Sequence, residues 1–321
     1  MPDTGQFARD TEPFRRELLA HCYRMLGSVD EAEDGVQEAY LRAWRAYDRF
    51  QGRSSVRTWL YRIATNVCLA ALEQRGRRAL PAGLGLGGGD AVEGQAPEAT
   101  HAAWIQPIPD ALVTAPSDDP AAVVASRQEL RLALVASLQH LPARQRAVLL
   151  LREVLAFPAA DVAGMLGMSL AAVKSALQRA RARLDEVAPR PELIEEPAEP
   201  EARALLDRYV AAFESSDAAA LERVLREDAV IEMTPSGTWL AGLAACMPFL
   251  TTQALGEPGD WRMVPTSANG QPAAVAYRRE ADGVHHAFGV AVLFATTTGI
   301  ARITVFGDPR LATRFGLPLT A

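Results

Sequence analysis

Residues 157–177 read FPAADVAGMLGMSLAAVKSAL, and their pattern defines the architecture of the module around them. Its apolar residues recur at the spacing of two helices that cross at a tight turn. Gly167 supplies the turn, and Ser169 stands where it can cap the second helix. The core positions expected from this pattern are Ala163, Leu166, Met168, Val173 and Leu177. The pattern predicts a helix-turn-helix, with an ordinary helical hairpin as the alternative.

The second helix of this motif would turn small, polar and basic residues outward: Ala171, Ala172, Lys174, Ser175, Gln178 and Arg179. Arg179, Arg181 and Arg183 then continue as a basic stripe that can meet phosphates. A solvated arginine face on a helical hairpin is the competing interpretation.

Upstream, residues 14–50 carry helical spacing that breaks at 27–30, where Ser28 or Asp30 can cap the next helix. A third helix is predicted from Ser55 to Arg78. Residues 201–321 change character. Predicted helices at Ala202–Ser215 and Ala218–Arg226 precede strand-like runs at Ala229–Met233, Trp261–Ser267, Ala273–Arg278, His286–Ala295 and Ile300–Val305. Helices followed by strands favour an α+β domain with the helices on a curved antiparallel sheet.

The sequence thus predicts a multidomain protein with two all-α modules and a C-terminal α+β domain. The expected boundaries are 10–80 for the first helical module, 81–121 for a flexible linker, 122–188 for the helix-turn-helix module, 189–200 for an acidic linker and 201–321 for the C-terminal domain. Within the first linker, an apolar island at Trp104–Asp110 could dock on another part of the chain in an extended conformation.

The formal net charge of -6 is unevenly spread along the 321 residues. Residues 1–78 hold 13 basic and 11 acidic groups, and residues 122–190 hold 10 basic and 5 acidic ones. Residues 191–321 hold 17 acidic groups against 10 basic ones. This asymmetry favours a polyanion partner for the helical modules and autoinhibition by the acidic tail. Uneven solvated surfaces would give the same counts.

The three cysteines, Cys22, Cys68 and Cys246, are widely spaced and form no CxxC pair. Neither a disulfide framework nor a zinc cluster is expected from them. The N-terminus lacks an apolar signal region, and no later stretch runs about 18 apolar residues. We therefore expect a cytoplasmic protein without membrane contact.

Two separate regions resemble sigma-70 family transcription initiation factors of the extracytoplasmic function (ECF) group. Residues 30–44, DEAEDGVQEAYLRAW, and 57–66, RTWLYRIATN, are similar to the family's region 2. Residues 141–152, LPARQRAVLLLR, together with the helix-turn-helix, are similar to region 4. The resemblance covers about half of the chain in the family's order. It implies binding to core RNA polymerase, through the β′ clamp helices and the β flap, and to promoter DNA.

The resemblance implies that Asp34, Gln37 and Glu38 dock on the β′ clamp helices. Their i, i+3, i+4 spacing puts them on one helix face, where carboxylates can accept charge-assisted bonds from arginines. Compensation of the helix dipole is the alternative for Asp34. The minus-10 contacts that the resemblance implies are Trp59, Arg62, Asn66, Arg75, Arg77 and Arg78, although the spacing of Trp59 suits a core position equally well.

The minus-35 contacts that the resemblance implies are Ser169, Ala172, Lys174, Ser175, Gln178, Arg179 and Arg181. The sequence departs from the common pattern, since Ala172 replaces Thr, Ala176 replaces Arg and Gln178 replaces His. Two potential DNA contacts are missing, so the promoter is expected to differ from the usual ECF one.

The C-terminal domain resembles the SnoaL-like, cystatin-like α+β cones found at the end of some ECF factors, which implies that it folds back on the sigma regions and sets their activity. Such cones can be enzymes, and the strand residues that could serve are Asp228, Glu232, His285 and His286. No nucleophile or metal spacing accompanies them, so neither catalysis nor a cofactor or metal is expected.

The function predicted is that of an ECF-type initiation factor regulated by its own tail. The alternatives are a helix-turn-helix regulator acting without polymerase, and a cone-fold enzyme or ligand sensor fused to a DNA-binding module.

Overall fold

The structure, a computed structural model, describes residues 4–52, 54–74, 105–114, 130–187 and 197–321. The chain forms two compact units. The helical unit combines residues 1–80 with 112–188, and the second unit combines 81–111 with 189–321. The predicted fold class, helical modules followed by an α+β domain, is confirmed.

The helical unit begins with α1 (Thr4–Thr11), α2 (Arg15–Leu26), α3 (Val29–Ala46) and α4 (Val56–Glu73). Gly27 ends α2 in the left-handed conformation, with φ of +73°. Ser28, one of the two predicted caps, accepts a hydrogen bond from the Glu31 amide at 3.3 Å and so begins α3. The residues predicted to continue the third helix as far as Arg78 lie outside the described residues.

His21 lies in the core of this module and is fully buried. Its Nε2 is 2.9 Å from the Thr65 hydroxyl, and its ring meets that of Tyr61 edge-on, with centroids 5.2 Å apart. Burial, with a smaller contribution from the nearby Arg24 charge, lowers the pKa of His21 from 6.5 to about 3. The imidazole is therefore neutral in the folded protein at any pH near neutrality.

The pKa of His21 makes the stability of the helical unit depend on pH. In the unfolded chain His21 takes up a proton below about pH 6.5, whereas in the folded chain it stays neutral until the pH approaches 3. The contribution of neutral His21 to the free energy of unfolding is therefore complete above pH 6.5 and is lost as the pH falls from 6.5 towards 3. We expect a loss of up to about 1.4 kcal/mol per pH unit in that window. His21→Gln, which cannot titrate, should show a shallower slope in urea unfolding measured at a series of pH values. Equal slopes for the two proteins would contradict this assignment.

Residues 105–114 hold an extended run followed by one short helix, α5 (Asp110–Val113). Ile105 and Ile108 are fully buried. This part of the expected flexible linker is ordered, because its apolar side chains have a surface to pack on. Trp104 lies outside the described residues.

The second part of the helical unit contains α6 (Leu132–Gln139), α7 (Ala143–Leu149), α8 (Ala159–Leu166) and α9 (Leu170–Val187), with one π-type turn at Leu150–Val154. Gly167 has φ of +61° and ends α8. The Ser169 hydroxyl accepts a hydrogen bond from the Ala172 amide at 3.1 Å. The predicted helix-turn-helix is thus confirmed, together with its turn and its cap.

The C-terminal domain begins with α10 (Glu199–Glu214) and α11 (Ala218–Val224). Its strands are β1 (Leu225–Thr234), β2 (Thr238–Ala241), β3 (Trp261–Ala268), β4 (Gln271–Arg279), β5 (His285–Thr296) and β6 (Gly299–Phe306), with α12 (Leu243–Phe249) after β2 and α13 (Leu311–Arg314) at the end. The sheet order is β2-β1-β6-β5-β4-β3. One face of this sheet and helices α10 to α12 enclose an apolar core.

The expectation of an antiparallel sheet is wrong at one pair. β1 and β6 run parallel, with Ile231 opposite Ile303, while the other neighbours are antiparallel. β1 and β6 lie at opposite ends of the domain sequence, so no hairpin turn fixes their relative direction. β2 and α12 were not predicted, because β2 has only four residues and α12 only seven, which is too short to show a clear periodicity in sequence.

In the described parts of the chain, no single helix is long and apolar enough to cross a membrane. Helices α8 and α9 reach that length and apolarity only when taken together, and they are bent by 99° where they meet.

Candidate nucleic-acid interface

The acidic side of α3 is accessible in the folded protein. Asp34 and Gln37 are exposed and Glu38 is half-buried. Leu41, half exposed, follows Glu38 at i+3 and therefore lies on the same side. Since α3 begins at Val29, Asp34 stands in its second turn, beyond the first-turn acids that the helix dipole stabilises best. We call the surface of Asp34, Gln37, Glu38 and Leu41 the α3 face.

One member of the α3 face is already paired. Glu38 Oε1 accepts a hydrogen bond from Arg42 Nε at 2.6 Å, and the two side chains are 41% and 48% exposed to water, respectively. Such an exposed pair contributes little to stability. Glu38 can therefore exchange Arg42 for an arginine of a partner at small cost.

Among the predicted minus-10 residues, Trp59 has the position expected of a core residue. Its side chain is 8% exposed, and its ring lies 4.8 Å from that of Phe50. Arg62 and Asn66, one and two turns further along α4, are exposed. The described structure therefore leaves Arg62 and Asn66 accessible and holds Trp59 within the module. The other predicted minus-10 residues, Arg75, Arg77 and Arg78, lie outside the described residues.

The predicted minus-35 residues lie along the outer side of α9 and the turn before it. Lys174, Ser175 and Gln178 are exposed, as are Ser169, Arg179 and Arg181, whereas Ala172 is half-buried. The opposite side of α9 is buried through Val173, Ala176 and Ala180. This placement leaves a polar surface on a helix that its cap and turn hold in a fixed direction.

The basic residues at the end of this surface are engaged in surface pairs. Arg179 Nη1 donates to the Ser175 hydroxyl at 2.6 Å, and Arg183 pairs with Glu186 at 2.8 Å. Arg181 pairs with Glu153. All are exposed, so the pairs are weak and phosphates can replace them.

A buried arginine joins the two helical modules. Arg146 of α7 is 4% exposed, and its guanidinium donates hydrogen bonds to the Met25 carbonyl at the end of α2 and to Gln139 and Leu141. Gln139 Nε2 also donates to the Arg24 carbonyl at 3.3 Å. Burial lowers the pKa of Arg146 to about 10, which still leaves it charged at neutral pH. We call this set of bonds the module contact.

A second contact joins α4 to the helix-turn-helix. The Arg57 guanidinium lies 5.0 Å from the ring centres of both Tyr61 and Phe157. Asn66 Nδ2 donates to the Met165 carbonyl of α8 at 3.3 Å. A side chain predicted to bind the minus-10 element therefore touches the module predicted to bind the minus-35 element. Sequence reasoning missed the roles of Arg146 and Phe157, because neither spacing nor local motif marks them.

The four strand residues considered for catalysis do not converge. Asp228 is exposed and accepts two hydrogen bonds of 2.7 Å from Arg226. These bonds are the main reason why the pKa of Asp228 is lowered. Glu232 is buried, and burial raises its pKa to about 8. The charge of Arg302, whose nearest guanidinium nitrogen lies 3.8 Å from the Glu232 carboxylate, offsets only part of this rise. His285 bonds to the Gly259 carbonyl and His286 to Asp282. Across the described ranges, no group of three or more side chains is suited to hold a metal ion.

The extended run before α5 is bound to the turn between β3 and β4. The Ile108 amide donates to the Asn269 side chain, and the Asn269 amide donates back to the Ile108 carbonyl, both at 3.0 Å. The Gly270 amide donates to Asp110 Oδ1 at 2.8 Å. Pro109 forms a bridge with Ala268. We call residues 105–110 the strap, because it fastens the segment between the helical modules to the C-terminal sheet.

Comparison with known proteins assigns families to both helical modules. Residues 11–78 match the family described as Sigma-70 region 2, and residues 131–184 match Sigma-70, region 4. The chain is 48% identical over 316 residues to the ECF RNA polymerase sigma factor SigG of Mycobacterium tuberculosis, an alignment that spans 98% of this chain and 84% of that protein. It is 30% identical over 172 residues to the ECF RNA polymerase sigma-E factor of Escherichia coli, which spans 54% of this chain and 81% of that protein.

A solved structure resembles the whole chain. The crystal structure of the Mycobacterium tuberculosis extracytoplasmic function sigma factor SigJ matches with a TM-score of 0.59 and 24% identity, covering 97% of this chain and 99% of that one. At this level of identity the match speaks to the fold alone. It places a C-terminal domain after two helical modules in both chains.

Proposed function

The chain belongs to the ECF group of sigma-70 RNA polymerase factors, and from that premise we propose how it works: the α3 face binds core polymerase and α9 reads the minus-35 element. One observation carries this proposal, namely that the two surfaces stay accessible on two different modules of one unit. A factor that joins polymerase to promoters needs both. A regulator that binds DNA alone needs only α9.

We propose that Arg62 and Asn66 contact the minus-10 strand once the helical modules have moved apart. The two promoter elements are centred about 25 base pairs apart, or roughly 85 Å along B-form DNA. A compact unit of this size has a radius of gyration of only about 15 Å. The module contact and the bond from Asn66 to Met165 must therefore break before both elements are bound.

Promoter melting tests this proposal. Holoenzyme assembled from core polymerase and the full chain should make thymines near the minus-10 element reactive to permanganate. Core polymerase alone should leave the same thymines protected. If holoenzyme binds the promoter and leaves the duplex closed at every temperature tested, the proposed role of region 2 fails.

We propose that the C-terminal domain restrains the factor and that the strap transmits this restraint. The domain is acidic, whereas the DNA-binding modules carry the basic surfaces. The strap lies in the segment that joins these modules, so binding it to the β3–β4 turn limits how far the modules can separate. A restraining role needs no catalysis, and the separate surroundings of Asp228, Glu232 and His286 support a non-enzymatic domain. In this proposal the protein acts where polymerase acts, in the cytoplasm.

Releasing the strap should raise transcription. Asn269 is fully buried and has φ of +55°, which glycine adopts without strain. Asn269→Gly therefore keeps the turn but removes the acceptor for the Ile108 amide, leaving a buried donor unpaired at a cost of about 1–3 kcal/mol. We expect promoter-specific transcription by reconstituted polymerase to rise several-fold.

Ser236→Gly, in the exposed turn between β1 and β2, is the matched control and should leave transcription unchanged. Transcription that stays equal in both variants, or falls in Asn269→Gly while the fold is intact, would show that the strap does not restrain the factor.

A further inference from the structure

Two apolar residues stand at the start of the helix that reads DNA. Leu170, the first residue of α9, is 51% exposed, and Ala171 beside it is also exposed. Large apolar side chains are seldom exposed in the described residues, where the examples are Leu41, Leu170, Val284 and Leu319. Leu170 thus leaves an aliphatic side chain in water at the place where a recognition helix meets base edges.

Leu170 and Ala171 belong to the same surface as the polar residues of α9. Lys174 and Gln178 follow Leu170 at i+4 and i+8, and Ser175 follows Ala171 at i+4, so the apolar pair and these polar residues share one broad side of the helix. The hydroxyl oxygen of Ser169 accepts a bond from the Ala172 amide as the helix cap. The first turn of α9 therefore offers apolar groups to DNA, and the polar side chains lie in the turns that follow.

The chemistry of the major groove limits what this apolar turn can meet. Guanine, cytosine and adenine present hydrogen-bond donors and acceptors there, and only thymine adds a methyl group. A leucine packed on a polar base edge would remove water from that edge without replacing its hydrogen bonds. A leucine packed on a thymine methyl group buries two apolar surfaces against each other.

We propose that Leu170, with Ala171 beside it, reads the methyl group of thymine in the minus-35 element. This inference rests on the proposed function of α9. It names a specificity determinant outside the seven minus-35 residues that the family resemblance implied.

Replacing thymine by deoxyuridine tests the proposal, because it removes the methyl group and keeps the base pair. Holoenzyme containing the full chain is first used to select a minus-35 element from a duplex library, and each thymine of the selected element is then replaced in turn. Wild-type holoenzyme should lose affinity about fourfold at one position, as expected for one buried methyl group. Leu170→Ala should bind the thymine duplex about that much more weakly and should not respond to deoxyuridine there. Leu319→Ala, equally exposed but in the C-terminal domain, is the control and should respond like wild type.

Three results would overturn the proposal: wild-type binding that is indifferent to deoxyuridine at every position, a Leu170→Ala variant that keeps the full response, or a Leu170→Ala variant weakened equally on duplexes with and without the selected thymine. The last result would point to a protein partner for Leu170. If no minus-35 sequence is enriched, the proposed function of α9 fails first and this inference falls with it.

Discussion

Reversing the charge of the α3 face, as Asp34→Lys with Glu38→Lys, is expected to abolish binding to core polymerase. In this account each carboxylate accepts charge-assisted bonds from basic groups of the polymerase, and each lysine would face those groups with like charge. We expect the affinity to fall at least about 100-fold, which corresponds to about 3 kcal/mol or more. This affinity can be measured by competition with a labelled sigma factor for core polymerase at a fixed salt concentration.

The control for this reversal is Asp48→Lys with Glu73→Lys. These acids are exposed in the same module and lie outside the α3 face, so the net charge changes by the same amount. The control should bind polymerase nearly as wild type does. Binding of the reversed chain within about threefold of the control would exclude the α3 face as the polymerase contact and favour a regulator that acts on DNA alone.

Replacing Arg146 by methionine is expected to have the second large effect, on the contact between the helical modules. Methionine fills a similar volume but leaves the carbonyls of Met25, Gln139 and Leu141 without their donor. Buried acceptors left unpaired cost about 1–3 kcal/mol each, partly recovered by relaxation and water. We expect the free energy of unfolding of the helical unit to fall by about 3 kcal/mol in urea titrations.

The exposed neighbour Arg144 supplies the matched control for this change. Arg144→Met should shift the unfolding free energy by less than about 0.5 kcal/mol. If both variants behave alike, the module contact does not stabilise the unit.

The same variant tests whether the module contact restrains DNA binding. Under conditions where Arg146→Met remains folded, loosening the module contact should raise the affinity of the free chain for promoter duplex several-fold at matched salt. A folded variant with unchanged or lower affinity would show that the contact does not restrain DNA binding.

Features fixed by local signals could be predicted from the sequence. Gly167 and Ser169 define a turn and a cap within three residues, and both act as expected. Ser28 likewise begins α3 through its own hydroxyl. Such interactions depend on neighbours in sequence, so the spacing of residues carries the information.

Features set by distant partners could not be predicted in the same way. The parallel pairing of β1 with β6 depends on packing across the whole C-terminal domain. Arg146 binds carbonyl groups that are 121 and 7 residues away from it in the chain. Trp59 fitted a core role and a DNA role equally well in sequence, and its contact with Phe50 gives it the core role in the folded chain. In each case the deciding interaction is tertiary.

The same distinction between local and tertiary interactions applies to the candidate site. The face of α9 follows largely from helical periodicity: five of the six residues that the pattern turns outward are exposed, Ala172 is half-buried, and the exposed Leu170 was not among them. The contact between Asn66 and Met165 joins two residues that are 99 positions apart in the chain, and no sequence motif predicts it.

The central claim is that this chain directs polymerase to promoters. Its most direct test is transcription from a promoter library by purified core polymerase, with and without the full chain, followed by sequencing of the transcript starts. The account predicts new starts downstream of a shared pair of elements that depend on the added chain and disappear with the Asp34→Lys, Glu38→Lys variant. Active core polymerase that gives no chain-dependent start, while still responding to its housekeeping factor, would contradict the account.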